Sequence, residues 1–228
     1  MCNYAHSYHG IQLSHKYKLI KLKSKKMPIV YLSMDELKLI NSIDEDLLND
    51  RLTNVRDWLL ISCFTGQRIS DFMNFSIDNI RHQDEFSVMD ILQEKGKKSV
   101  TIPVLNEVVK IMKRYDGGFP RQLSDQKYND YLKEVCKIAK LEQKVKGKKQ
   151  INISKDPTER KVRRVEGMYP KYELVTSHIG RRSFATNHYG KIPTSYLIYV
   201  TGHSSEEMFL NYIGKSNKDM ALELTKYF

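Results

Sequence analysis

The sequence predicts a mostly α-helical domain with one small antiparallel β-sheet. Apolar residues recur at helical spacing over residues 51–63 and again in segments nearer the C-terminus. Two apolar segments, EFSVMDIL and SVTIPV, flank a glycine turn, which is typical of a β-hairpin. The 228 residues, 40% of them apolar, are enough for one large domain or two small ones and for a substantial buried core.

The N-terminal segments are assigned from their charge and from a helix-capping pattern. Residues 1–28 are basic and weakly patterned, so we expect a tail or linker there and a folded domain over 29–228. The apolar segment PIVYL predicts a short strand. Ser33 and Glu36 form a capping box, in which the serine hydroxyl caps the helix and the glutamate caps the serine N–H. This pattern predicts a helix that ends near Asn41.

The middle of the chain combines helical spacing with turn residues. A second helix is predicted over about 51–63, and TGQRIS then interrupts it with a turn. Ser70 and Asp71 can cap a short helix after that turn. The β-hairpin follows, with Gly96 at its turn.

The C-terminal half is predicted to be helical apart from one basic segment. Helices are expected at about 104–114 and 125–140. Residues 143–171 are rich in Lys and Arg and poor in apolar periodicity, which indicates a long loop or an extended hairpin. Residues 176–226 are predicted to be helical, with breaks at Gly190, Pro193, Gly202 and Gly214. The sequence contains no internal repeat.

The charge balance indicates a polyanionic partner. Lys and Arg number 38 against 27 Asp and Glu, which gives a net charge of +11, and the pI is near 9.4. Such an excess favours nucleic acid as the partner. A basic surface that only aids solubility is the alternative.

Cysteine usage and the N-terminus favour a cytoplasmic protein. The cysteines Cys2, Cys63 and Cys136 are far apart and form no CxxC pair, which fits a reducing compartment and disfavours a zinc ribbon. No apolar run reaches the roughly 18 residues that a membrane span needs. MCNYAHSYHG lacks the apolar core of a signal peptide. We therefore expect neither export nor membrane association.

Within TGQRISDF, Arg68 follows a glycine turn and directly precedes an apolar helical stretch. An arginine at such a junction would be partly desolvated and would need an anionic partner. Asp71, three residues later, can hold it in position. The alternative is a purely structural Arg–Asp pair.

SHIGRRSFATNHYG places His178 and Arg181 three residues apart, hence on one helical face, near the apolar Phe184. One alternative is a helix end whose histidine is satisfied by the backbone. A metal site is another, but no HExxH pattern and no carboxylate partner accompany the histidine.

TGHSSEEMFLNYIG places His203 at a turn and Tyr212 nine residues later, after a short helix. Because the chain has 14 tyrosines, packing under a helix is the ordinary explanation for any one of them. Three lysines cluster at the hairpin turn, where lysines are usually just solvated; a hairpin tip can also carry a cation into a groove. They are Lys95, Lys97 and Lys98.

Together these groups suit attack on a phosphodiester. Two arginines can clamp the non-bridging oxygens with their planar guanidinium groups. A lysine can protonate the leaving oxygen. A tyrosine hydroxyl can be the nucleophile and hold the phosphate covalently.

The boxes TGQRISDF, HIGRRSFATN and TGHSSEEMFLNYIG resemble the signature boxes of the tyrosine recombinases, the phage-integrase family. EKGKKSVTIPV also resembles the lysine-bearing hairpin of that family. The resemblance runs from about residue 31 to 221, and the boxes are similar in style to integrases of bacterial mobile elements. It implies the DNA breaking-rejoining catalytic-domain fold. It also implies a site-specific recombinase or integrase, encoded by a mobile element, that needs no metal and no cofactor.

The resemblance assigns a role to each matching cation. Arg68 and Arg181 would clamp the phosphate, with Asp71 supporting the first of them. Lys95 matches the hairpin lysine, the general acid for the 5′ oxygen. Because one-residue slips of a hairpin are easy, two neighbours remain alternatives: Lys97 and Lys98.

The remaining roles follow from the second and third boxes. His178 would assist proton transfer at the tyrosine or orient the phosphate, and His203 would donate to the phosphate. Tyr212 would form a 3′-phosphotyrosyl link and release a 5′-hydroxyl. Arg182 is expected to point about 100° away from Arg181 and to contact the DNA backbone. Lysines of the hairpin turn and the basic segment are expected to contact DNA too: Lys97, Lys98, Lys146, Lys148 and Lys149.

The resemblance also implies partners and a location. Double-stranded DNA is the expected substrate, in the bacterial cytoplasm and associated with the nucleoid. A tetramer on DNA is expected through exchange of residues 215–228, which could equally fold back on their own core. The core-binding domain that usually precedes this domain has no counterpart in the residues before the match, so we expect the catalytic domain alone.

Two other functions share some of these features. A relaxing topoisomerase of type IB uses the same chemistry but usually lacks the Gly-His-x9-Tyr box in this form. A DNA-binding module with an inactive or unassembled site would keep the charge without the reaction.

Overall fold

The computed structural model describes residues 28–84, 86–154, 161–225 and 228, together with residues 7 and 9. The described chain is predominantly helical with two small antiparallel sheets, so the predicted fold class is confirmed. From residue 28 onward the α-helices are α1 (Met34–Asn41), α2 (Asp50–Thr65), α3 (Ile69–Phe72), α4 (Asn106–Met112), α5 (Asp125–Ile138), α6 (Lys171–Leu174), α7 (Ile179–His188), α8 (Thr194–Thr201), α9 (Glu206–Tyr212) and α10 (Asn217–Leu224). Apart from residues 7, 9 and 28, the predicted tail lies outside the described residues.

The strands form one three-stranded sheet and one long hairpin. Their bounds are β1 (Ile80–Gln83), β2 (Phe86–Leu92), β3 (Ser99–Pro103), β4 (Lys144–Asn152) and β5 (Val162–Pro170). The predicted hairpin is β2–β3, which pairs Leu92 with Ser99 across the turn. β1 was not predicted; it pairs along β2 and completes the order β1-β2-β3. The basic segment forms the hairpin β4–β5, so the extended alternative is correct for its described part.

The N-terminal capping box is confirmed, but the predicted strand before it is not. The Ser33 hydroxyl accepts from the Glu36 N–H, and the Glu36 carboxylate accepts from the Ser33 N–H at 2.7 Å. PIVYL forms no strand because side chains of α7 hold its backbone. The Leu32 N–H donates to Ser183 Oγ at 2.8 Å, and the Leu32 carbonyl accepts from Asn187 Nδ2 at 2.9 Å.

α2 passes through the centre of the domain and is buried over nearly its whole length. It ends at Gly66, two residues before Arg68. α7 crosses it so closely that a Cβ added at Gly180 would lie 1.9 Å from Ser62 Oγ. This close approach brings Arg181, the next residue, against the C-terminal end of α2.

α3 begins differently from the prediction. Arg68, and not Ser70 or Asp71, stands at its N-cap, and no side chain caps this helix. Asp71 lies inside α3 and is buried. Its carboxylate accepts a hydrogen bond from the Glu94 backbone N–H at 2.8 Å, which offsets part of the cost of burying the charge. The first box and the β2–β3 hairpin are therefore joined through Asp71.

The last helices form a second, smaller apolar cluster around Phe184, Leu197 and Phe209. The predicted breaks separate α7, α8, α9 and α10. α10 lies on its own chain: Tyr189 Oη donates to Glu223 Oε2 at 2.9 Å, and Lys215 Nζ donates to Glu223 Oε1 at 2.5 Å.

The two cysteines of the described chain, Cys63 on α2 and Cys136 on α5, are both buried, free thiols. Burial raises the pKa of Cys63 to about 12 and raises the pKa of Cys136 as well. Within the described ranges, no helix combines the length and apolar character needed to cross a membrane.

Candidate active site

Arg68 lies where α2 gives way to α3, and its charge is only loosely balanced. Its Nη1 atom is 3.9 Å from the Asp71 carboxylate, which is beyond hydrogen-bond distance. That nitrogen is buried and has no hydrogen-bond partner in the described part of the chain. Asp71 therefore lowers the electrostatic cost of burying Arg68 but leaves a donor free.

Arg181 is the most deeply buried of the predicted site residues, with a relative exposure of 2%. Its Nη1 donates to the Gly66 carbonyl at 3.1 Å, while Nη2 is buried with no acceptor among the described residues. Burial, followed by the positive charge of Arg68, lowers the pKa of Arg181 to about 10. The guanidinium thus stays charged at neutral pH.

His178 stands at the N-cap of α7 and is solvent-exposed. Partial desolvation of its ring, followed by the charges of Arg182, Arg181 and Arg68, lowers its pKa. The ring is therefore neutral at pH 7, as a proton acceptor must be.

His203 follows Gly202 at the end of α8, and a hydroxyl fixes its protonation pattern. Thr201 Oγ1 donates to the Leu197 carbonyl at 2.5 Å and lies 2.8 Å from His203 Nδ1. Since a hydroxyl has one hydrogen and a carbonyl can only accept, Nδ1 must carry the proton that it shares with Thr201. In the neutral ring Nε2 is then the atom with the lone pair.

The pKa of His203 is lowered to about 4, first by burial and then by the charges of Arg181, Arg68 and Lys98. The neutral ring therefore predominates at pH 7. Lys98 is thus a hairpin lysine whose charge reaches the site.

Tyr212 ends α9 with its ring between His203 and an arginine. The ring centroids of His203 and Tyr212 are 4.9 Å apart, and the Arg182 guanidinium lies 5.6 Å from the Tyr212 centroid, over the ring. The hydroxyl is buried, lies close to the Arg181 and Arg182 guanidinium groups and forms no well-aligned hydrogen bond in the described chain. Burial raises the pKa of the phenol, and the charges of Arg181, Arg182 and Arg68 oppose that rise.

These contacts correct the expected position of Arg182. It does not point away from the other groups but packs on the Tyr212 ring, because α9 returns against that side of α7. The helical angle alone could not show where α9 would lie.

The structure brings five of the six predicted catalytic side chains together. The charge of Arg68 is one of the causes that shift the pKa of each of the other four side chains: His178, Arg181, His203 and Tyr212. Lys95 is the exception. It is exposed in the hairpin turn, and no contact within the described residues joins it to the site.

The site opens into a basic groove of about 910 Å³. His178 and Arg182 line one part of it, and the β4–β5 hairpin lines another with Lys148, Lys149 and Arg164. Lys146 does not line the groove and pairs with Glu166 at 3.2 Å. Among the described side chains, no group of three or more His, Cys, Asp or Glu is arranged to hold a metal ion.

Supporting residues beside the site were missed in the sequence. Gln67 and Gln93 are fully buried and hydrogen-bond to each other, and Thr201 sets the His203 tautomer. Gln67 adjoins Arg68 and Gln93 precedes the lysine turn, but a lone glutamine in a sequence gives no signal of burial.

The described architecture matches known proteins. The sequence profile of the Phage integrase family matches residues 30–219. Comparison with individual curated proteins finds no match. A lambda integrase dimer bound to a COC′ core site superimposes with a TM-score of 0.61 at 18% identity, over 95% of this chain and 57% of that one. The XerH site-specific recombinase in a post-cleavage complex with palindromic difH gives 0.57 at 16% identity, over 89% and 54%.

A third similar structure is the Tn1549 transposon integrase in complex with transposon right end DNA. It has a TM-score of 0.58 at 15% identity, over 92% of this chain and 69% of that one. The chain thus spans just over half the length of the XerH and lambda integrase chains that it matches. These structures share its fold, and the family profile covers most of its sequence, so the chain belongs to the phage integrase family of tyrosine recombinases.

Proposed function

We propose that this domain cleaves and rejoins DNA strands in site-specific recombination, with Tyr212 as the nucleophile. The observation that carries the proposal is a set of buried donors without acceptors around one phenol. Arg68 Nη1, Arg181 Nη2, Arg182 Nε and the Tyr212 hydroxyl form no well-aligned hydrogen bond in the described chain, although the hydroxyl lies close to the Arg181 and Arg182 guanidinium groups. Unpaired buried donors are costly, so a ligand rich in acceptor oxygens is the natural complement.

A phosphodiester fits this arrangement better than a carboxylate or a metal complex. It has two non-bridging oxygens that share one negative charge, and guanidinium groups can contact both of them. The three arginines exceed the single carboxylate of Asp71, so the site carries net positive charge without its ligand. Positively charged groups held in place for developing phosphate charge are typically a large catalytic term.

The reaction that we propose conserves the energy of the broken bond. Tyr212 Oη forms a bond to phosphorus, and the bond from phosphorus to the 5′ oxygen breaks. The phenol proton passes to a histidine, and the leaving 5′ oxygen receives a proton from a lysine. Because the product is a phosphotyrosyl ester, a 5′-hydroxyl of another strand can reverse the step and join the strands. The proposal requires no metal ion and no cofactor.

In this reaction His203 can first accept a proton and then donate a hydrogen bond to the phosphate. With Nδ1 held by Thr201, Nε2 is free to take a proton. A bound phosphate places negative charge beside the ring, which favours the protonated form. Nε2–H then donates to a phosphate oxygen. His178, also neutral, is the second candidate for the phenol proton.

Lys95 remains the proposed general acid, although it lies in the exposed turn. Gly96 (φ +89) and Lys97 (φ +48) give this turn an unusual backbone, and Lys97 Nζ is bound to Glu94 at 2.7 Å. Engagement of DNA by the turn would bring Lys95 or Lys98 to the 5′ oxygen. Lys97 is the weakest alternative because its ammonium is already paired.

The proposed substrate is double-stranded DNA, which would lie over the site and along the basic groove. The similar structures of XerH, lambda integrase and the Tn1549 integrase are complexes with DNA. A lambda integrase tetramer on a Holliday junction is also similar, with a TM-score of 0.56. By analogy we propose that this protein, encoded by a mobile element and acting in the bacterial nucleoid, assembles as a tetramer on DNA. In that assembly α10 would give up its contact with Tyr189 of its own chain, and residues 215–228 would exchange between copies.

A nicked suicide substrate tests the proposal. A strand nicked just after the cleavage site loses its short 5′-hydroxyl product, so the covalent protein–DNA adduct accumulates. Candidate sites come from the DNA that flanks the gene. We expect the wild-type protein to form the adduct and Tyr212→Phe to form none, because phenylalanine has no nucleophilic oxygen. Tyr196→Phe, at an exposed position on α8, is the matched control and should behave as wild type.

The outcomes separate this proposal from the other two functions. An adduct with Tyr212→Phe would remove Tyr212 from the chemistry. Binding of DNA without adduct formation in the wild type would indicate a DNA-binding module. Relaxation of supercoils without strand exchange would indicate a topoisomerase.

A further inference from the structure

Two glutamines form a buried polar contact behind the active site. Gln67 and Gln93 have no exposed surface. Gln93 Nε2 donates to Gln67 Oε1 at 2.8 Å and to the Val200 carbonyl at 3.0 Å. Gln67 Nε2 donates to the same Val200 carbonyl at 3.0 Å and to the Thr65 carbonyl at 3.1 Å.

The orientation of both amides is determined by these contacts. Each –NH₂ group has two hydrogens, and each hydrogen faces an oxygen. Turning either amide over would place an oxygen against carbonyl oxygens, which repel it. The pair therefore adopts one arrangement, in which both amide nitrogens and Gln67 Oε1 are hydrogen-bonded and Gln93 Oε1 has no hydrogen-bond partner in the described chain.

The three partners belong to three different catalytic segments. Gln67 directly precedes Arg68 on the turn after α2. Gln93 stands at the base of the β2–β3 hairpin, two residues before Lys95, and its N–H donates to the Lys98 carbonyl at 2.9 Å. Val200 is on α8, three residues before His203. The glutamine pair is thus a common point of attachment for these segments.

Close packing at Gly202 supports this arrangement. Gln93 Oε1 lies so near that a Cβ at Gly202 would be 2.2 Å from it. The residue before His203 therefore contacts the same amide that anchors the hairpin. Few apolar contacts hold the hairpin tip, since its residues 94–99 are exposed. The direction of the tip thus depends on its base.

We propose that Gln67 and Gln93 are positioning residues that set the hairpin lysine and His203 relative to Arg68. Neither side chain touches the substrate in this scheme. They act by fixing the distance between the general acid and the phosphate clamp, and a misplacement of about 1 Å can slow such chemistry by about 100-fold. This inference rests on the proposed function.

A substrate that needs no general acid tests the inference. In one DNA the scissile 5′ oxygen is replaced by sulfur, whose thiolate leaves without a proton. Gln93→Met and Gln67→Met keep the side-chain length but remove the amide hydrogen bonds. We expect each to cleave the ordinary substrate about 100-fold more slowly than wild type. On the sulfur substrate we expect each to stay within about tenfold of wild type.

Gln83→Met, on the exposed face of β1, is the control variant and should cleave both substrates like wild type. Equal slowing of both substrates by Gln67→Met and Gln93→Met would show a merely structural role and would overturn the inference, as would wild-type rates on both. If one variant fails to fold, as judged by thermal unfolding, the other decides.

The double variant provides a second criterion. If the two amides act as one unit, Gln67→Met with Gln93→Met should be about as slow as either single variant. If the double variant instead lost activity by the product of the two single losses, the glutamines would act independently, which would contradict the inference. Failure of the wild type to cleave either DNA would instead refute the proposed function, so the two failures are distinguishable.

Discussion

Arg68 combines a buried guanidinium nitrogen that has no hydrogen-bond partner in the described chain with a carboxylate held only loosely beside it. Asp71 stands too far away for a hydrogen bond: its Oδ1 accepts from the Glu94 N–H, while its Oδ2, 3.9 Å from Arg68 Nη1, has no hydrogen-bond partner in the described chain. The structural Arg–Asp pair that the sequence left open would have required a closer contact. The loose pair leaves a planar donor group buried beside Arg181, where an oxyanion can complete both.

Substitution of Arg68 by lysine should therefore abolish most of the cleavage. An ammonium keeps the charge but cannot make the two-pronged contact of a guanidinium. Loss of one clamp donor costs about 2.7 to 4 kcal/mol of barrier, so we expect a loss of about 100- to 1000-fold in single-turnover adduct formation. Arg51→Lys, at an exposed pair with Glu134, is the matched control. Near wild-type cleavage by Arg68→Lys would exclude Arg68 from the clamp.

His203 makes the stability of the fold depend on pH. Its pKa is about 4 in the folded chain and near 6.5 when unfolded, so the unfolded state binds more protons between these values. The free energy of unfolding should therefore decrease as the pH falls from about 6.5 to about 4. His178 and His188 act in the same direction, since partial desolvation lowers the pKa of both.

Urea denaturation across this pH range measures the effect. His203→Gln should show a shallower loss of stability than wild type, because glutamine does not titrate. A variant that loses stability as steeply as the wild type would show that His203 does not have the lowered pKa. His82→Gln, on the exposed strand β1, serves as the matched control.

The β4–β5 hairpin separates lysines that the sequence could not distinguish. Lys146 and Lys149 are already paired, with Glu166 at 3.2 Å and Glu173 at 2.7 Å. Lys148 lines the basic groove and is bound to no acidic side chain within the described ranges. Lys148 is therefore the lysine of this set that can neutralise a phosphate without first breaking an ion pair.

The salt dependence of DNA binding tests this distinction. Lys148→Gln should reduce the slope of log K against log salt by about 0.9, the value for one lost phosphate contact. Lys146→Gln should reduce it less, since its charge is offset by Glu166. An unchanged slope in both variants would show that this hairpin does not lie along DNA.

Elements with local signals could be predicted from the sequence. The capping box of Ser33 and Glu36 acts over three residues, and the β2–β3 turn over six, so the pattern itself contains the physics. The three boxes were singled out because they resemble those of a family. The structure then shows that five of the six predicted catalytic side chains lie near one another.

Elements that depend on distant partners could not be predicted. PIVYL has strand composition, but Ser183, 151 residues away from Leu32, binds its backbone. Gln67 meets Val200 across a separation of 133 residues. The path of Arg182 depends on where α9 packs. Local propensity contains none of this information, because tertiary contacts override it.

At the scale of the whole molecule, the net positive charge governs how the proposed binding of DNA should depend on salt. The net charge is +11, and the chain spans just over half the length of the matched XerH and lambda integrase chains. Binding driven mainly by phosphate contacts weakens steeply with salt. Salt concentration must therefore be held constant when variants are compared.

Cys63 and Cys136 are buried, so the rate at which their thiols react with a reagent measures how often the whole domain unfolds. Both thiols lie in the centre of the domain, and the raised pKa of each suppresses the reactive thiolate. In a Cys2→Ser background, a thiol reagent should label the protein only as fast as the native state opens. Labelling within seconds in native buffer would contradict this burial. A variant that cleaves poorly yet is labelled as slowly as its parent has lost chemistry and kept its fold.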